Sequence, residues 1–137
     1  MGLILDSSVL IAAERRIETV SGLLRSVKET TGHTTVAISA ISVIELGHGV
    51  WRADTPERAE KRRIYLREVY AAIRVEPFTG EMGERAARID AEAKKTGRVI
   101  PFADLQIGAT ALELGYAVAT HNARHFAMIP GLEIKPL

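Results

Sequence analysis

The sequence contains no cysteine among its 137 residues. This absence excludes disulfide bridges, thiolate metal sites and cysteine nucleophiles. Any metal ion that the protein binds must therefore be held by oxygen or imidazole ligands.

The chain also lacks a long apolar segment and an excess of either charge. The apolar run Leu3–Leu5 is interrupted by Asp6 and has no basic lead, so we expect neither a signal peptide nor a membrane span, and a cytoplasmic location. The net charge of +1 argues against a wide basic surface that binds nucleic acid indiscriminately. Hydrophobic residues make up 47% of the chain, and its length favours one domain over residues 1–137.

Motifs of several other enzyme classes are missing. The chain has no Gly-x-Gly-x-x-Gly, no Walker-type loop, no Gly-x-Ser-x-Gly elbow and no His-Glu-x-x-His. A phosphatase with an aspartyl nucleophile would carry a second acid two residues after Asp6, where this chain has Ser8. These absences disfavour dinucleotide binding, P-loop chemistry, serine hydrolysis and zinc proteolysis.

Short apolar segments alternate with helical ones along the chain. The sequence predicts strands at Leu3–Leu5, Thr35–Ser39, Arg74–Pro77, Tyr116–Ala119 and Leu132–Ile134. It predicts helical segments from near Val9 through Val27, from around Ser42, from Pro56 with Thr55 as its cap, at Met82–Ala93 and at Phe102–Leu114. Short buried strands that alternate with helices predict an α/β fold, with a central parallel sheet of four to five strands and helices on both faces.

Three acidic residues, Asp6, Glu45 and Asp104, stand where an apolar or capped segment turns into a helix. Each has an ordinary explanation. Asp6 fits a turn after a strand, and Asp104 fits the first turn of a helix, where negative charge is favourable. Glu45 follows Ser42 by three residues, which is the capping-box spacing. Ligands of open α/β sheets, however, bind beyond the carboxyl ends of the strands, and the parallel topology would bring all three acids there.

A converging trio of carboxylates requires protonation or a cation. Two like charges about 4 Å apart repel by about 4 kcal/mol at an effective dielectric constant near 20. Ligation by oxygen alone suits Mg²⁺ or Mn²⁺, and such ions promote phosphodiester hydrolysis. The sequence therefore predicts a divalent metal site at this edge of the sheet.

The histidines offer an alternative metal site. His121 and His125 are four residues apart, and Glu45 and His48 form one Glu-x-x-His, which a di-iron bundle needs twice. We therefore expect His48 and His125 to lie on helix surfaces or to pack, not to bind a metal ion.

Four blocks of residues carry a family resemblance. They are Leu3–Ile11; Ile41–Leu46 with Gly49; Ile100 and Pro101 with Asp104–Ile107 and Ala109; and Thr120–Asn122 with Phe126. In this order the blocks resemble the PIN-domain ribonucleases of the VapC toxin type, and they span almost the whole chain. The resemblance implies a PIN-like fold and a metal-dependent endoribonuclease that hydrolyses RNA phosphodiester bonds with a metal-activated water.

The resemblance also implies roles for individual residues. The implied ligands of Mg²⁺ or Mn²⁺, directly or through water, are Asp6, Glu45 and Asp104. The fourth catalytic position is often acidic in the family and is Asn122 here, which leaves open whether one or two metal ions bind. Ser7 and Thr120 would be supporting hydrogen-bond partners.

The implied partners are RNA, a second copy of the chain and a small antitoxin whose tail covers the active-site groove. Operator DNA would be contacted only through the antitoxin, and no membrane is expected. Arg15, Arg16 and Arg62 are predicted contacts to the RNA backbone. Two alternatives remain open: a PIN-like module that binds an antitoxin and nucleic acid with little or no turnover, and a metal-dependent DNA nuclease.

Overall fold

The computed structural model describes residues 1–137 and contains one five-stranded sheet. Its strands are β1 (Leu3–Leu5), β2 (Val36–Ser39), β3 (Arg74–Glu76), β4 (Ala117–Thr120) and β5 (Ile134–Pro136). They lie in the order β3-β2-β1-β4-β5, and every neighbouring pair is parallel. The predicted parallel α/β sheet is confirmed.

Seven helices connect and cover the strands. They are α1 (Ser7–Arg15), α2 (Val20–Thr31), α3 (Ala40–Trp51), α4 (Pro56–Ala72), α5 (Gly80–Lys95), α6 (Phe102–Leu114) and α7 (Ala123–Phe126). The start of α4 is as predicted, because the Thr55 side chain accepts a hydrogen bond from the Arg58 N–H and Pro56 occupies the first turn. No helix is both long and apolar enough to cross a membrane.

The start of α3 differs from the prediction. The helix begins at Ala40 because Ser39 is its N-cap, with its Oγ accepting a hydrogen bond 3.2 Å from the Ile41 N–H. Ser42 lies inside the helix, fully buried, and its Oγ has no hydrogen-bond partner. The capping-box explanation of Glu45 is therefore wrong.

Other boundaries also differ from the prediction. The predicted helical segment from Val9 through Val27 is two helices, and α1 begins earlier, at Ser7. Between the helices Ile17 has a φ of 55°, and Thr19 then caps α2. The last strand begins at Ile134, two residues later than the predicted start at Leu132, because the preceding turn continues to the Leu132 N–H, which bonds to the Ile129 carbonyl.

Each face of the sheet carries its own hydrophobic core. Leu3 and Leu5 point into a cluster formed with α1, α2, α3 and α4, whereas Ile4 points into a cluster formed with α5, α6 and α7. All three side chains of β1 are fully buried. Complete burial of one such side chain stabilises the fold by about 1.5–3 kcal/mol. The central strand therefore fixes the residue that follows it, Asp6, between the two layers.

Candidate active site

Asp6 follows β1 directly and is only 5% exposed. Its backbone N–H donates to the Ala119 carbonyl at 2.9 Å, which ties it to β4. Its Oδ2 accepts hydrogen bonds from Ser8 Oγ at 2.8 Å and from Thr120 Oγ1 at 2.9 Å. No hydrogen bond reaches Oδ1. Two hydroxyls thus hold the carboxylate and leave one oxygen available to a ligand.

Glu45 lies in the second turn of α3 and is partly buried. Ser7 Oγ donates to its Oε1 at 3.1 Å, so the predicted supporting residue contacts a predicted ligand. Burial raises the pKa of Glu45, the Ser7 hydrogen bond opposes that rise, and the charges of Asp6 and Asp104 add to it.

Asp104 lies in the first turn of α6, as predicted, and is partly buried. Burial raises its pKa, the charge of Asp6 raises the pKa further, and contact with His125 lowers it. His125 Nδ1 lies 2.9 Å from Asp104 Oδ2. This carboxylate is therefore held by an imidazole, whereas Asp6 and Glu45 are held by hydroxyls.

The three predicted ligands come from separate elements to one edge of the sheet. Their charges act on one another, since Asp6 affects the pKa of both Glu45 and Asp104. As they stand, however, no group of three or more histidine, aspartate or glutamate side chains is arranged to hold a metal ion. The three carboxylates thus lie at the edge of the sheet that the sequence predicts. Their side chains would have to move to bind one common ion.

The donor set nevertheless fits a divalent cation. It consists of carboxylate oxygens, which are the ligands that Mg²⁺ and Mn²⁺ prefer. Asp6 Oδ1 has no hydrogen bond to lose. A cation would also relieve the repulsion between carboxylates that, after burial, contributes to the raised pKa of Glu45 and of Asp104.

Thr120 and Asn122 follow the end of β4. Thr120 Oγ1 donates to Asp6 and accepts a hydrogen bond at 2.8 Å from the Asn122 N–H. The exposed Asn122 side chain does not contact a carboxylate; its Nδ2 lies 2.9 Å from His125 Nδ1. A neutral imidazole nitrogen either donates or accepts, so Nδ1 of His125 cannot serve both Asp104 and Asn122 as a full hydrogen-bond partner.

Sequence reasoning missed two residues of the site. His125 was expected on a helix surface or in packing, yet it links Asp104 to Asn122. Ser8 was considered as the residue that replaces the second acid of an aspartyl phosphatase, yet it donates to Asp6 and accepts a hydrogen bond at 3.2 Å from the His121 N–H. The three-residue spacing from Asn122 to His125 across one helical turn was the available signal for the first.

The three predicted RNA-binding arginines separate in the structure. Arg15 and Arg62 line a cavity of about 220 Å³ that Glu45 also lines. Arg16 does not line it and pairs with Glu18 at 2.9 Å. A larger cavity of about 440 Å³ lies between the end of α1 and α4, and none of the three carboxylates lines it.

The family model of the PIN domain matches residues 3–132 of the chain. The chain belongs to the PIN domain family. This PIN domain is 34% identical to ribonuclease VapC1 of Rickettsia felis, over 98% of this chain and 95% of the relative. It is 31% identical to ribonuclease VapC of Rickettsia bellii over the same shares of the two chains. The resemblance stated from the sequence is confirmed.

The PIN fold is also matched in three dimensions. The structure of VapBC2 from Rickettsia felis bound to a promoter DNA fragment superposes on this PIN domain with a TM-score of 0.86. The match covers 100% of this chain and 99% of that chain at 21% sequence identity, so it speaks to the fold alone. The PIN-like class predicted from the sequence is confirmed.

Proposed function

We propose that this PIN domain is an endoribonuclease, the toxin of a type II toxin–antitoxin pair, and that residues 1–137 act as one domain. The observation that carries the proposal is the meeting of Asp6, Glu45 and Asp104 at one edge of the sheet, where their charges interact. The 34% identity to a ribonuclease of the VapC type, over 98% of this chain, supports RNA as the substrate.

Asp6, Glu45 and Asp104 would hold Mg²⁺ or Mn²⁺, directly or through water. When bound, such an ion lowers the pKa of a water ligand and offsets the charge that develops on the phosphate. Asp6 is prepared for this role by Ser8 and Thr120, which fix one oxygen and leave the other open. Glu45 is held at Oε1 by Ser7, and its second oxygen can orient the attacking water.

Asn122 joins the three carboxylates of the proposed site, at the position that is often a fourth acid in the family. Its Nδ2 and Asp104 Oδ2 both lie 2.9 Å from His125 Nδ1, so we infer that Asn122 influences the orientation of His125 and does not supply charge. Three carboxylates and an amide favour one tightly held divalent ion over two, because the second ion would meet fewer anionic ligands.

The partners that we propose are those that the family resemblance implies. VapBC complexes share this fold, and one was solved with promoter DNA. We infer a small antitoxin as the partner of this chain, a homodimer, contact with operator DNA only through the antitoxin, and a cytoplasmic location without membrane contact.

The central test is Asp104→Asn with RNA as substrate and Mg²⁺ or Mn²⁺ present. Cleavage should fall by more than about 100-fold, since even residues that only support metal ligands contribute about 10- to 100-fold. Asp90→Asn is the matched control, because Asp90 pairs with Lys94 on the exposed face of α5 and contacts no site residue. Undiminished cleavage by Asp104→Asn would overturn the proposal.

Two further measurements separate the alternatives. Calorimetry of the antitoxin-free protein should detect Mg²⁺ or Mn²⁺ binding that Asp104→Asn weakens, whereas a binding module without turnover would show none. Parallel assays on single-stranded RNA and on DNA of the same sequence should show cleavage of the RNA. Preferential cleavage of DNA would instead identify a DNA nuclease.

A further inference from the structure

A cavity of about 220 Å³ opens beside Glu45, between α1, α3 and α4. Glu45 lines it from α3, Arg15 from α1 and Arg62 from α4. Because the cavity shares a wall with a proposed catalytic carboxylate, it can hold the part of a substrate that adjoins the reacting bond.

Arg62 is fixed at the wall of this cavity. Its Nη1 donates to the Gly49 carbonyl oxygen, and its Nε lies 3.8 Å from Glu14 Oε1. A guanidinium has five N–H donors, so these contacts leave donors for a ligand. Arg62 is therefore positioned by the protein before any ligand arrives.

Of the two arginines that line the cavity, Arg15 has no counter-ion. It lies exposed in the last turn of α1 and makes no hydrogen bond and no ion pair, although Arg16 pairs with Glu18 at 2.9 Å. The anions of the cavity have other contacts, since Glu14 faces Arg62 and Glu45 accepts from Ser7. Guanidinium groups match the geometry of phosphate oxygens, and Arg15 is available for such a contact.

We propose that this cavity binds a backbone phosphate of the RNA strand next to the scissile bond, with Arg15 and Arg62 as its donors. The inference rests on the proposed ribonuclease function and adds the path of the substrate. Along α1, Arg15 lies about 12 Å from Ser7, so the strand would run from the carboxylates along this helix. Contacts to phosphate fix the register of a nucleic acid without reading its sequence, so this subsite would act on every RNA that the site accepts.

The test compares two neighbouring arginines. Arg15→Ala and Arg16→Ala are each placed in an Asp104→Asn background, and binding of a short fluorescent single-stranded RNA is measured in EDTA over a range of salt concentrations. Arg15→Ala should weaken binding about two- to fivefold, as expected for an exposed charge pair. It should also lower the slope of log K against log salt by about 0.7, the value for one phosphate contact on a single strand.

Two controls make the result specific. Arg16→Ala should leave affinity and slope unchanged, because that side chain pairs with Glu18 and does not line the cavity. Arg15→Lys keeps the charge and should retain the slope. In the protein with Asp104 intact, Arg15→Ala should raise KM for RNA cleavage and leave kcat nearly unchanged.

The proposal is overturned if Arg15→Ala matches Arg16→Ala in affinity and slope, or if the RNA shows no salt-dependent binding. It is also overturned if Arg15→Ala weakens only the binding of the antitoxin, since the cavity would then serve a protein partner. Cleavage of RNA by the unmodified protein tests the ribonuclease function separately, so failure of either idea can be recognised alone.

Discussion

The two sides of the active site hold their carboxylates by different means. On the side formed by β1, α1 and α3, hydroxyl groups hold Asp6 and Glu45. On the side formed by α6 and α7, an imidazole holds Asp104. A hydroxyl can rotate to donate to a carboxylate, whereas His125 offers one nitrogen to two partners. Each hydroxyl thus has one carboxylate oxygen to serve, whereas the imidazole side can rearrange when a ligand enters.

Thr120→Val tests the side of the site on which hydroxyl groups hold the carboxylates, and we expect it to have a larger effect than the variants described below. It keeps the shape of a fully buried side chain but removes a hydrogen bond to Asp6 and the acceptor of the Asn122 N–H. We expect metal affinity and RNA cleavage to fall by about 10- to 100-fold, measured by calorimetry and by initial rates. Thr110→Val is the control, because Thr110 is equally buried but donates only to the Gln106 carbonyl within α6. Equal losses in both variants would show that packing, not the orientation of Asp6, is responsible.

His125→Ala tests the imidazole side. We expect metal affinity to fall by about tenfold, less than for Thr120→Val, because His125 is shared between Asp104 and Asn122. His125→Asn should recover much of the loss, since an Asn amide can donate from near the position of Nδ1. His48→Ala, which removes an exposed histidine of α3, should have no effect. A His125→Ala protein with unchanged metal affinity would remove this residue from the site.

Glu45→Gln tests how much the charge of a partly buried carboxylate lowers the free energy of unfolding. Such charges lie on both sides of the active site. Burial, together with the charges of Asp6 and Asp104, raises the pKa of Glu45 above its ordinary value of 4.5. The folded protein therefore binds this proton more tightly than the unfolded chain. The resulting stability is fully present below the ordinary pKa and is lost as pH rises through the raised pKa.

At neutral pH without metal, Glu45→Gln should thus increase the free energy of unfolding, by less than about 1 kcal/mol for a partly exposed group. Urea unfolding in EDTA measures the gain, which should disappear at about pH 4. Glu133→Gln should act in the opposite direction, because Lys135 lowers the pKa of that carboxylate. A Glu45→Gln protein that is less stable than the unmodified chain at neutral pH would contradict the assignment.

The sequence predicted the fold and the three carboxylates because both depend on local patterns. Short apolar segments predicted the strands, and the residue after a strand or at a helix start could be read directly, as for Asp6 and Asp104. The carboxyl ends of parallel strands meet by geometry, so the shared edge followed without knowledge of any contact.

The remaining features depend on contacts between distant residues or on local choices with small energy differences. Ser8 lies 112 residues from Thr120, and His125 lies 21 residues from Asp104, so no local pattern links them. The choice of Ser39 over Ser42 as the cap of α3 depends on where β2 ends. Arg15 is the last residue of α1 and lines the cavity, whereas Arg16 is the C-cap and pairs with Glu18, and the sequence does not show where α1 ends.

The pairing of β1 with β4 determines when the site can form during synthesis. Leu3 pairs with Ala117, and Thr120 donates to Asp6 across 114 residues. Contacts of such separation close late, because the loop between them must lose its entropy first, and a chain emerging from the ribosome has made β1 long before β4. Asp6 is therefore held in place only after the C-terminal part of the chain has been made. A nascent or truncated protein that ends before Thr120 carries the acidic residues but not the arrangement that holds them.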